Sequence, residues 1–339
     1  MQDKESGIKP LELIYRREKK MSLLERIERI WNENRSNIEY SLRGWLKQLP
    51  QHNRKPYKIF RCPPSLKVYT SVSKGNLNFS LRCMGQEVGE VKVEKGEVFL
   101  VLKKKHIKQN AEYFKVSDPG QGSYPWRSKD AGRFRKSFQK IPPNLLDGLQ
   151  TGIPEHRIES RIIHEMLKKS RKKFQGTFRQ IQPVTIGGVP LQWPLPISAS
   201  SGEPKKGIGH IDILARRRFG GKVNLSLWEL KAPDNYKNPL REGYIYAVTL
   251  LKILRDTPEG IYWYNVFGFK KNTTLPPQLT IEVVVAITCN QWGKMIKELT
   301  KYREEMPIDI GHDRIIFSIA LYDEDSLEID FRKNILCNS

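Results

Sequence analysis

Three things are scarce in this sequence: cysteine, long apolar runs and, over one stretch, any acidic residue. The four cysteines, Cys62, Cys83, Cys289 and Cys337, are scattered and form no C-x-x-C pair. That excludes a zinc ribbon or a disulfide scaffold and points to a reducing compartment. The six histidines show no metal-ligand spacing, and no Gly-rich phosphate loop is present. The longest apolar runs are of strand length, so neither a signal peptide nor a membrane span is expected, and the expected location is cytoplasmic. Residues 40 to 86 hold nine Lys or Arg and no Asp or Glu. Over all 339 residues, 59 Lys and Arg face 37 Asp and Glu, a net charge of +22. Such a balance suits a polyanionic partner such as nucleic acid, although acidic proteins and membrane surfaces would attract it too.

The charge is unevenly placed. Residues 1 to 150 carry 31 basic and 16 acidic residues, a net +15, which leaves +7 of the total +22 for the remainder. In the acid-free stretch, Arg54, Lys55, Lys58 and Arg61 are interleaved with Trp45, Tyr57, Phe60 and Tyr69. Basic groups there can neutralise phosphates, while the aromatics either stack on unpaired bases or fill a core. A second basic-aromatic stretch runs from Tyr124 to Lys136 and contributes Arg127, Arg133 and Arg135. A third, Lys168 to Lys173, ends a helix, where positive charge is favourable with or without a ligand. Arg216 and Arg217 sit in an expected turn that either tracks a phosphate backbone or is a solvated hairpin tip.

The most informative segment lies further on. Gly207-Ile-Gly-His-Ile-Asp212-Ile-Leu214 and Leu225-Ser-Leu-Trp-Glu229-Leu-Lys231 each read as a strand, apolar and β-branched residues alternating around polar ones. Alternation puts His210, Asp212 and Leu214 on one face, and Glu229 with Lys231 on one face of the second strand. Paired as a hairpin through residues 216–222, the strands bring two carboxylates and an ammonium to one spot. Two close carboxylates raise each other's pKa unless a cation sits between them, a need met by a hard divalent ion with oxygen ligands. The acid-x-Lys pattern occurs four times, at Glu18, Glu90, Glu203 and Glu229, so it decides nothing alone. Glu18 lies in a charged helical run and Glu203 in a Gly/Ser/Pro-rich loop, and no Asp occurs between Asp3 and Asp118 to partner Glu90. Only Glu229 follows an Asp in a preceding apolar strand at hairpin distance. The competing reading is an edge hairpin with a solvated charged face.

A helix is expected from Pro154 to about residue 173, with Ile158, Ile162, Ile163, Met166 and Leu167 on one face. Glu159 projects from the middle of that face, where a carboxylate is costly unless paired, protonated or bound to metal. Glu155, one turn earlier, suits a helix N-terminus.

Helix with an inward Glu159, strand ending Ile211-Asp212, strand ending Glu229-Leu-Lys231, then helix: this order resembles the PD-(D/E)xK nuclease superfamily, the restriction-endonuclease-like fold. The strings Gly-His-Ile-Asp-Ile-Leu-Ala and Leu-Trp-Glu-Leu-Lys-Ala-Pro resemble the versions in its resolvase-like and restriction-type members. The likeness covers residues 154–256, and reaches 322 if later strands belong to it; it departs at Ile211, where the family pattern has Pro. The resemblance implies an αβββαβ core with a mixed central sheet. It implies Asp212 and Glu229 as metal ligands with the Leu230 carbonyl as a third, Lys231 as the catalytic lysine and Glu159 as the helix carboxylate. The cofactor implied is Mg²⁺, replaceable by Mn²⁺, and the reaction is endonucleolytic phosphodiester hydrolysis, of DNA ahead of RNA, as in restriction or antiviral defence. The same fold also serves subunits of transposition or recombination complexes and noncatalytic nucleic-acid-binding modules; a homodimer or a larger assembly stays open. Glu242 and Tyr246 stand where some members carry Gln and Tyr, although periodicity puts Glu242 on a polar face.

The fold class expected is α/β (α+β) in two domains: a smaller basic α+β domain over 1–150 and the nuclease-like domain over 151–339. The first should hold a helix within 11–48, striped by Leu23, Leu24, Ile27, Ile30 and Trp31, and a three-stranded meander over 76–105, ending in a linker over 141–154. In the second, Asn238-Pro239 opens a helix, 281–288 and 314–321 read as buried strands, and Trp292 to Arg303 as a helix between them. Residues 196–207 read as a loop that could close over substrate.

Overall fold

The computed structural model describes residues 21–48, 65–141 and 181–332, with breaks at 74–75, 84, 95–96, 118, 187–188, 191–192, 220, 234–235, 270–272 and 324–328. Between 142 and 180 it describes Glu155, residues 158–160, Ile162, Ile163 and Met166, all helical. The expected linker over 141–154 therefore lies almost wholly outside the described residues.

Helix α1, Leu23–Gln48, starts at a reciprocal cap: the Ser22 amide donates to Glu25 Oε2 at 2.6 Å and the Glu25 amide to Ser22 Oγ at 3.2 Å. Its stripe, Leu23, Ile27, Trp31, Ile38, Leu42 and Trp45, is fully buried, a contribution on the order of 10 kcal/mol before chain entropy is charged against it. A five-stranded antiparallel meander follows in the order β1 (Leu66–Ser73), β2 (Asn76–Cys83), β3 (Gln86–Glu94), β4 (Glu97–Leu102), β5 (Gly122–Pro125). Strands β2, β3 and β4 are the expected three, and β1 and β5 extend the sheet on either side. In β1, Leu66, Val68 and Val72 alternate with Lys67, Ser71 and Ser73 at a strand's period, and Lys67 and Tyr69 are buried as well as Leu66 and Val68. Helix α2 (Lys104–Gln109) and helix α3 (Lys129–Ser137), the latter capped by Ser128 Oγ, flank this meander.

The second half is built on a mixed sheet. β6 is Ile181–Pro183, β7 (Thr185–Ile186) and β8 (Val189–Pro190) form a small ribbon, and β9 (Trp193–Ser198) pairs with β10 (Lys205–Ile211) in another. Then come β11 (Ile213–Phe219), β12 (Lys222–Leu230), helix α4 (Pro239–Asp256), helix α5 (Gly260–Val266), β13 (Thr280–Thr288), helix α6 (Trp292–Tyr302), β14 (Asp309–Ile310), β15 (Asp313–Tyr322) and β16 (Ile329–Arg332). The sheet order is β14-β15-β13-β12-β11-β6, with β16 added on β15. β12, β13 and β15 run parallel while the other pairings are antiparallel. The fold is α+β, a mixed central sheet flanked by helices.

Alternation along the strands sorts the two faces. Ile213, Ala215, Trp228, Leu230, Val284 and Ala286 pack with Ile158, Ile162, Ile163 and Met166 of the Glu159 helix. Leu214, Leu227, Val283 and Val285 join the larger core with α4 and α1. That larger core runs without interruption from the N-terminal meander through α1 to α4. Ion pairs reinforce it: Arg43 to Glu259 at 2.7 Å, Lys252 to Glu28 at 3.5 Å, and Arg35 Nη2 donating to the Asp256 carbonyl at 2.7 Å.

Two local expectations need correcting. The chain bends at Asp212, so β10 and β11 are separate strands of separate sheets and not one continuous strand. Residues 196–207, read as an open loop, form the closed end of the β9–β10 ribbon. Glu203 pins that end by pairing with Arg26 of α1 and, at 2.7 Å, with Arg241 of α4. Among the described residues, no helix is long and apolar enough to cross a membrane.

Candidate active site

The β11–β12 register pairs Ile213 with Trp228, so the next position outward sets Asp212 opposite Glu229. The Leu230 amide donates to Asp212 Oδ2 at 2.8 Å, which fixes the carboxylate at the bend. Two residues past Glu229, just beyond β12, the Lys231 ammonium donates to Glu229 Oε1 at 2.8 Å and to Glu242 Oε2 at 2.6 Å. The Lys231 backbone is itself held twice, its amide by the Ala286 carbonyl at 3.0 Å and its carbonyl by the Tyr322 hydroxyl at 2.8 Å. Gln291 then clamps the Ala232 and Pro233 carbonyls at 2.9 and 2.8 Å. The end of β12 is thus rigidly placed before any ligand arrives.

Helix α4 reaches this point through Gly243, where a Cβ would lie 2.5 Å from Val283 Cγ1. The missing side chain lets α4 settle onto β13 and carries Glu242 to Lys231. From the opposite layer comes Glu159, 1% exposed. One turn before it, Glu155 Oε1 accepts the Ala232 amide at 3.5 Å.

The site has more carboxyl groups than cations. Burial pushes Asp212 up to about 7, helped by Glu159 and opposed by Lys231 and the Leu230 amide. Burial also holds Glu229 well above the usual carboxylate range, against the pull of Lys231 and with further push from Asp212 and Glu242. Glu159 is raised in the same way, with Arg82 the opposing charge. Burial disfavours the Lys231 ammonium, yet Glu229, Glu242 and Asp212 outweigh it and hold the amine charged. One oxygen, Glu229 Oε2, is buried with no hydrogen-bond partner among the described residues. An excess of carboxylates and an orphaned carboxylate oxygen beside Asp212 fit a hard divalent cation.

Glu242 does not lie on a polar face. Nearly the whole first half of α4 is buried, Arg241 and Glu242 included, so this helix has no polar face at that level for periodicity to detect. The sequence-level signal that remained was its position beside Tyr246, another buried side chain whose hydroxyl is raised by burial and by Glu229 and Glu242.

A second cluster, Glu87, Glu90 and His106, brings one ligand atom from each residue within 4.8 Å of one another and is a candidate to hold a divalent metal. It is already supplied with positive charge: Lys105 pairs with Glu87 at 2.7 Å and Lys103 with Glu90 at 2.5 Å. His106 Nδ1 accepts the Lys103 amide at 3.0 Å, which leaves the ring proton on Nε2, donated to Glu87 at 2.8 Å. A metal would have to displace that proton. His106 and Lys105 together hold Glu87 down at about 2.

The expected nucleic-acid-binding residues divide. Arg54, Lys55, Lys58 and Arg61 lie outside the described residues. Arg127 and Arg133 are exposed on and beside α3, and Arg135 stacks 4.0 Å above Trp126. Arg216 and Arg217 are not in a turn, since the β11–β12 turn falls after Phe219. Arg216 donates to the Gly268 carbonyl at 2.8 Å and to Gln182 at 3.1 Å. Arg217 is buried and paired with Glu282, which also accepts Ser226 and Ser318 at 2.9 and 2.6 Å. Both arginines therefore serve the sheet in this structure. Of the aromatics in the basic stretch, Trp45 and Tyr69 are core residues.

A cavity of about 440 Å³ lies at the other end of β12, lined by Lys222, Asn224, Tyr264 and residues 276–281. It shares no residue with the carboxylate site. Comparisons with protein-family models, with curated proteins and with solved structures find no significant match.

Proposed function

We propose that this chain is a metal-dependent nuclease of the PD-(D/E)xK type, hydrolysing phosphodiester bonds of DNA ahead of RNA. The observation that carries the reading is the meeting of Asp212 and Glu229 at the β11–β12 end with Lys231 beside them and one Glu229 oxygen unpartnered. Asp212 and Glu229, with the Leu230 carbonyl as the family resemblance implies, would hold Mg²⁺ or Mn²⁺. When bound, such an ion supplies a Lewis acid for the phosphate and lowers the pKa of a coordinated water.

The protein's own residues then have separate tasks. The Leu230 amide and the bend hold Asp212 opposite Glu229, so the ligand pair needs no rearrangement to form. Lys231, kept charged by two carboxylates, presents an ammonium to the negative charge that develops on a phosphate under attack. Glu242 orients that ammonium by accepting its hydrogen bond at 2.6 Å. Glu159 and Glu155 close the site from the facing helix, and a bound cation would favour the ionised form of Glu159.

A second reading, a nuclease subunit that works inside a larger assembly, is favoured by burial. Glu159, Glu229 and Lys231 are 1, 4 and 7% exposed, so a nucleic-acid strand reaches them only after the surrounding layers part. Partner binding is one way to part them.

The test incubates the purified chain with supercoiled, linear and single-stranded DNA and with RNA, in Mg²⁺, Mn²⁺ or EDTA, beside Glu229→Gln. Metal-dependent cutting that the variant lacks supports the nuclease. Cutting equally strong in Glu229→Gln rejects it. Salt-sensitive binding without cutting would favour the partner-dependent or noncatalytic reading.

A further inference from the structure

Strands β1 and β2 of the N-terminal meander reach the carboxylate site. Their register pairs Lys67 with Arg82 and Tyr69 with Ser80, so these four side chains share one face. That face is fastened to the Glu159 helix, because the Tyr69 hydroxyl and Ser160 Oγ lie 2.6 Å apart, one residue from Glu159. Arg82 stands 4.8 Å above the Tyr69 ring, and its Nε donates to Ser80 Oγ at 3.1 Å. These two contacts orient the guanidinium and leave its terminal nitrogens with no carboxylate at ion-pair distance among the described residues. Arg82 is half-buried and is the positive charge that most opposes the rise of Glu159.

We propose that Arg82 is a substrate-binding residue of the nuclease site, contributed by the N-terminal sheet to hold a phosphate of the nucleic acid beside Asp212 and Glu229. The proposal rests on the nuclease reading above. A planar guanidinium that presents its two terminal nitrogens on one edge matches two phosphate oxygens, a geometry that lysine cannot reproduce. A half-buried cation without a close counter-ion is better stabilised by an arriving anion than by the solvent it has lost. A cation held by Asp212 and Glu229 would bind a phosphate from the sheet side, and Arg82 would meet it from the meander side, so the N-terminal region would form one wall of the site. The charge excess of residues 1–150 then has a specific destination at the reaction centre as well as a general attraction for the polyanion.

The test compares wild type, Arg82→Gln, Arg82→Lys and Glu229→Gln in Mn²⁺, using supercoiled plasmid, a single-stranded oligodeoxynucleotide and an RNA of the same sequence. Mn²⁺ binding by calorimetry and the thermal midpoint are measured alongside. We expect Arg82→Gln to lower kcat/KM by about 10- to 100-fold, mainly through KM, with Mn²⁺ binding and thermal midpoint unchanged, and Arg82→Lys to recover part of the loss. If Arg82→Gln cuts like wild type while Glu229→Gln is inactive, the role of Arg82 is overturned and the nuclease reading stands. If Arg82→Gln and Arg82→Lys lose activity only together with folding or Mn²⁺ binding, Arg82 is a packing residue and the proposal fails. If wild type cuts none of the three, or Glu229→Gln cuts equally well, the reading of this chain as a nuclease active on its own falls, and the role of Arg82 falls with it.

Discussion

Lys231 Nζ sits between Glu229 and Glu242, 2.8 Å from one carboxylate and 2.6 Å from the other. It is the ammonium that lets two buried acids share this site. Replacing it with Met leaves both uncompensated. We expect Lys231→Met to lower metal-free stability by about 3–5 kcal/mol, the usual cost of orphaning a buried charge, and to abolish cleavage. Urea melts in EDTA read the first effect. A melt unchanged from wild type would mean that Lys231 is not needed to neutralise the pair.

Metal binding should depend on pH with a definite sign. Burial raises Asp212 to about 7, from an ordinary value near 3.8. In the metal-free protein the folded state thus keeps a proton that the unfolded chain gives up, so stability is greatest below that unfolded value and falls as pH rises towards 7. A bound cation needs the ionised carboxylates and must expel those protons. The thermal upshift on adding Mn²⁺ should therefore be larger at pH 8 than at pH 5.5. Equal upshifts at the two pH values would contradict the assignment of Asp212 as a ligand.

Gly243 provides a test that involves no charge. A methyl at this position would stand 2.5 Å from Val283 Cγ1, so Gly243→Ala should lift α4 from β13 and cost about 1–3 kcal/mol. The same shift draws Glu242 away from Lys231. Adding Val283→Ala makes room and should return part of both stability and activity. A double variant no better than the single one would show that packing at this point does not set the position of Glu242.

The two acidic clusters can be told apart by stoichiometry. His106 already spends its Nε2 proton on Glu87, so His106→Gln should leave Mn²⁺ binding unchanged, whereas Glu229→Gln should remove it. Calorimetric titration of both variants decides which cluster holds the ion, and the reverse pattern would move the metal to the N-terminal sheet.

How much of this was legible beforehand depended on whether the signal was local. The strands around Asp212 and Glu229, the helix that opens at Pro239 and the strands over 281–288 and 314–321 carry their pattern within a few residues, and the structure has them. Strand β1 escaped although Leu66, Val68 and Val72 alternate with Lys67, Ser71 and Ser73, because its lysine and tyrosine fit the basic-aromatic run over 40–86 equally well. Glu242 escaped because α4 is buried nearly all round, so its charged residues fall among apolar ones with no polar side to mark them. Arg82 carried no sign of its own beyond membership of the acid-free basic stretch over 40–86. Its place beside Glu159 is set by the packing of one sheet on a helix more than seventy residues later, and nothing in its own neighbourhood records that. The arginines of 216–217 misled because a basic tripeptide looks like a turn, whereas here it runs along β11 and meets Glu282 from a distant strand.

Helix α1 buries Leu23, Ile27 and Trp31 completely, and part of what covers them is α4, some two hundred residues further along the chain. During synthesis the helix therefore emerges long before its resting place exists. Until α4 has been made, its apolar stripe faces water or other chains, and closing so long a loop is slow. The interval favours trapping and aggregation over independent folding of the first 150 residues. The meander and α1 therefore complete their shared core only once α4 and the second-half sheet exist.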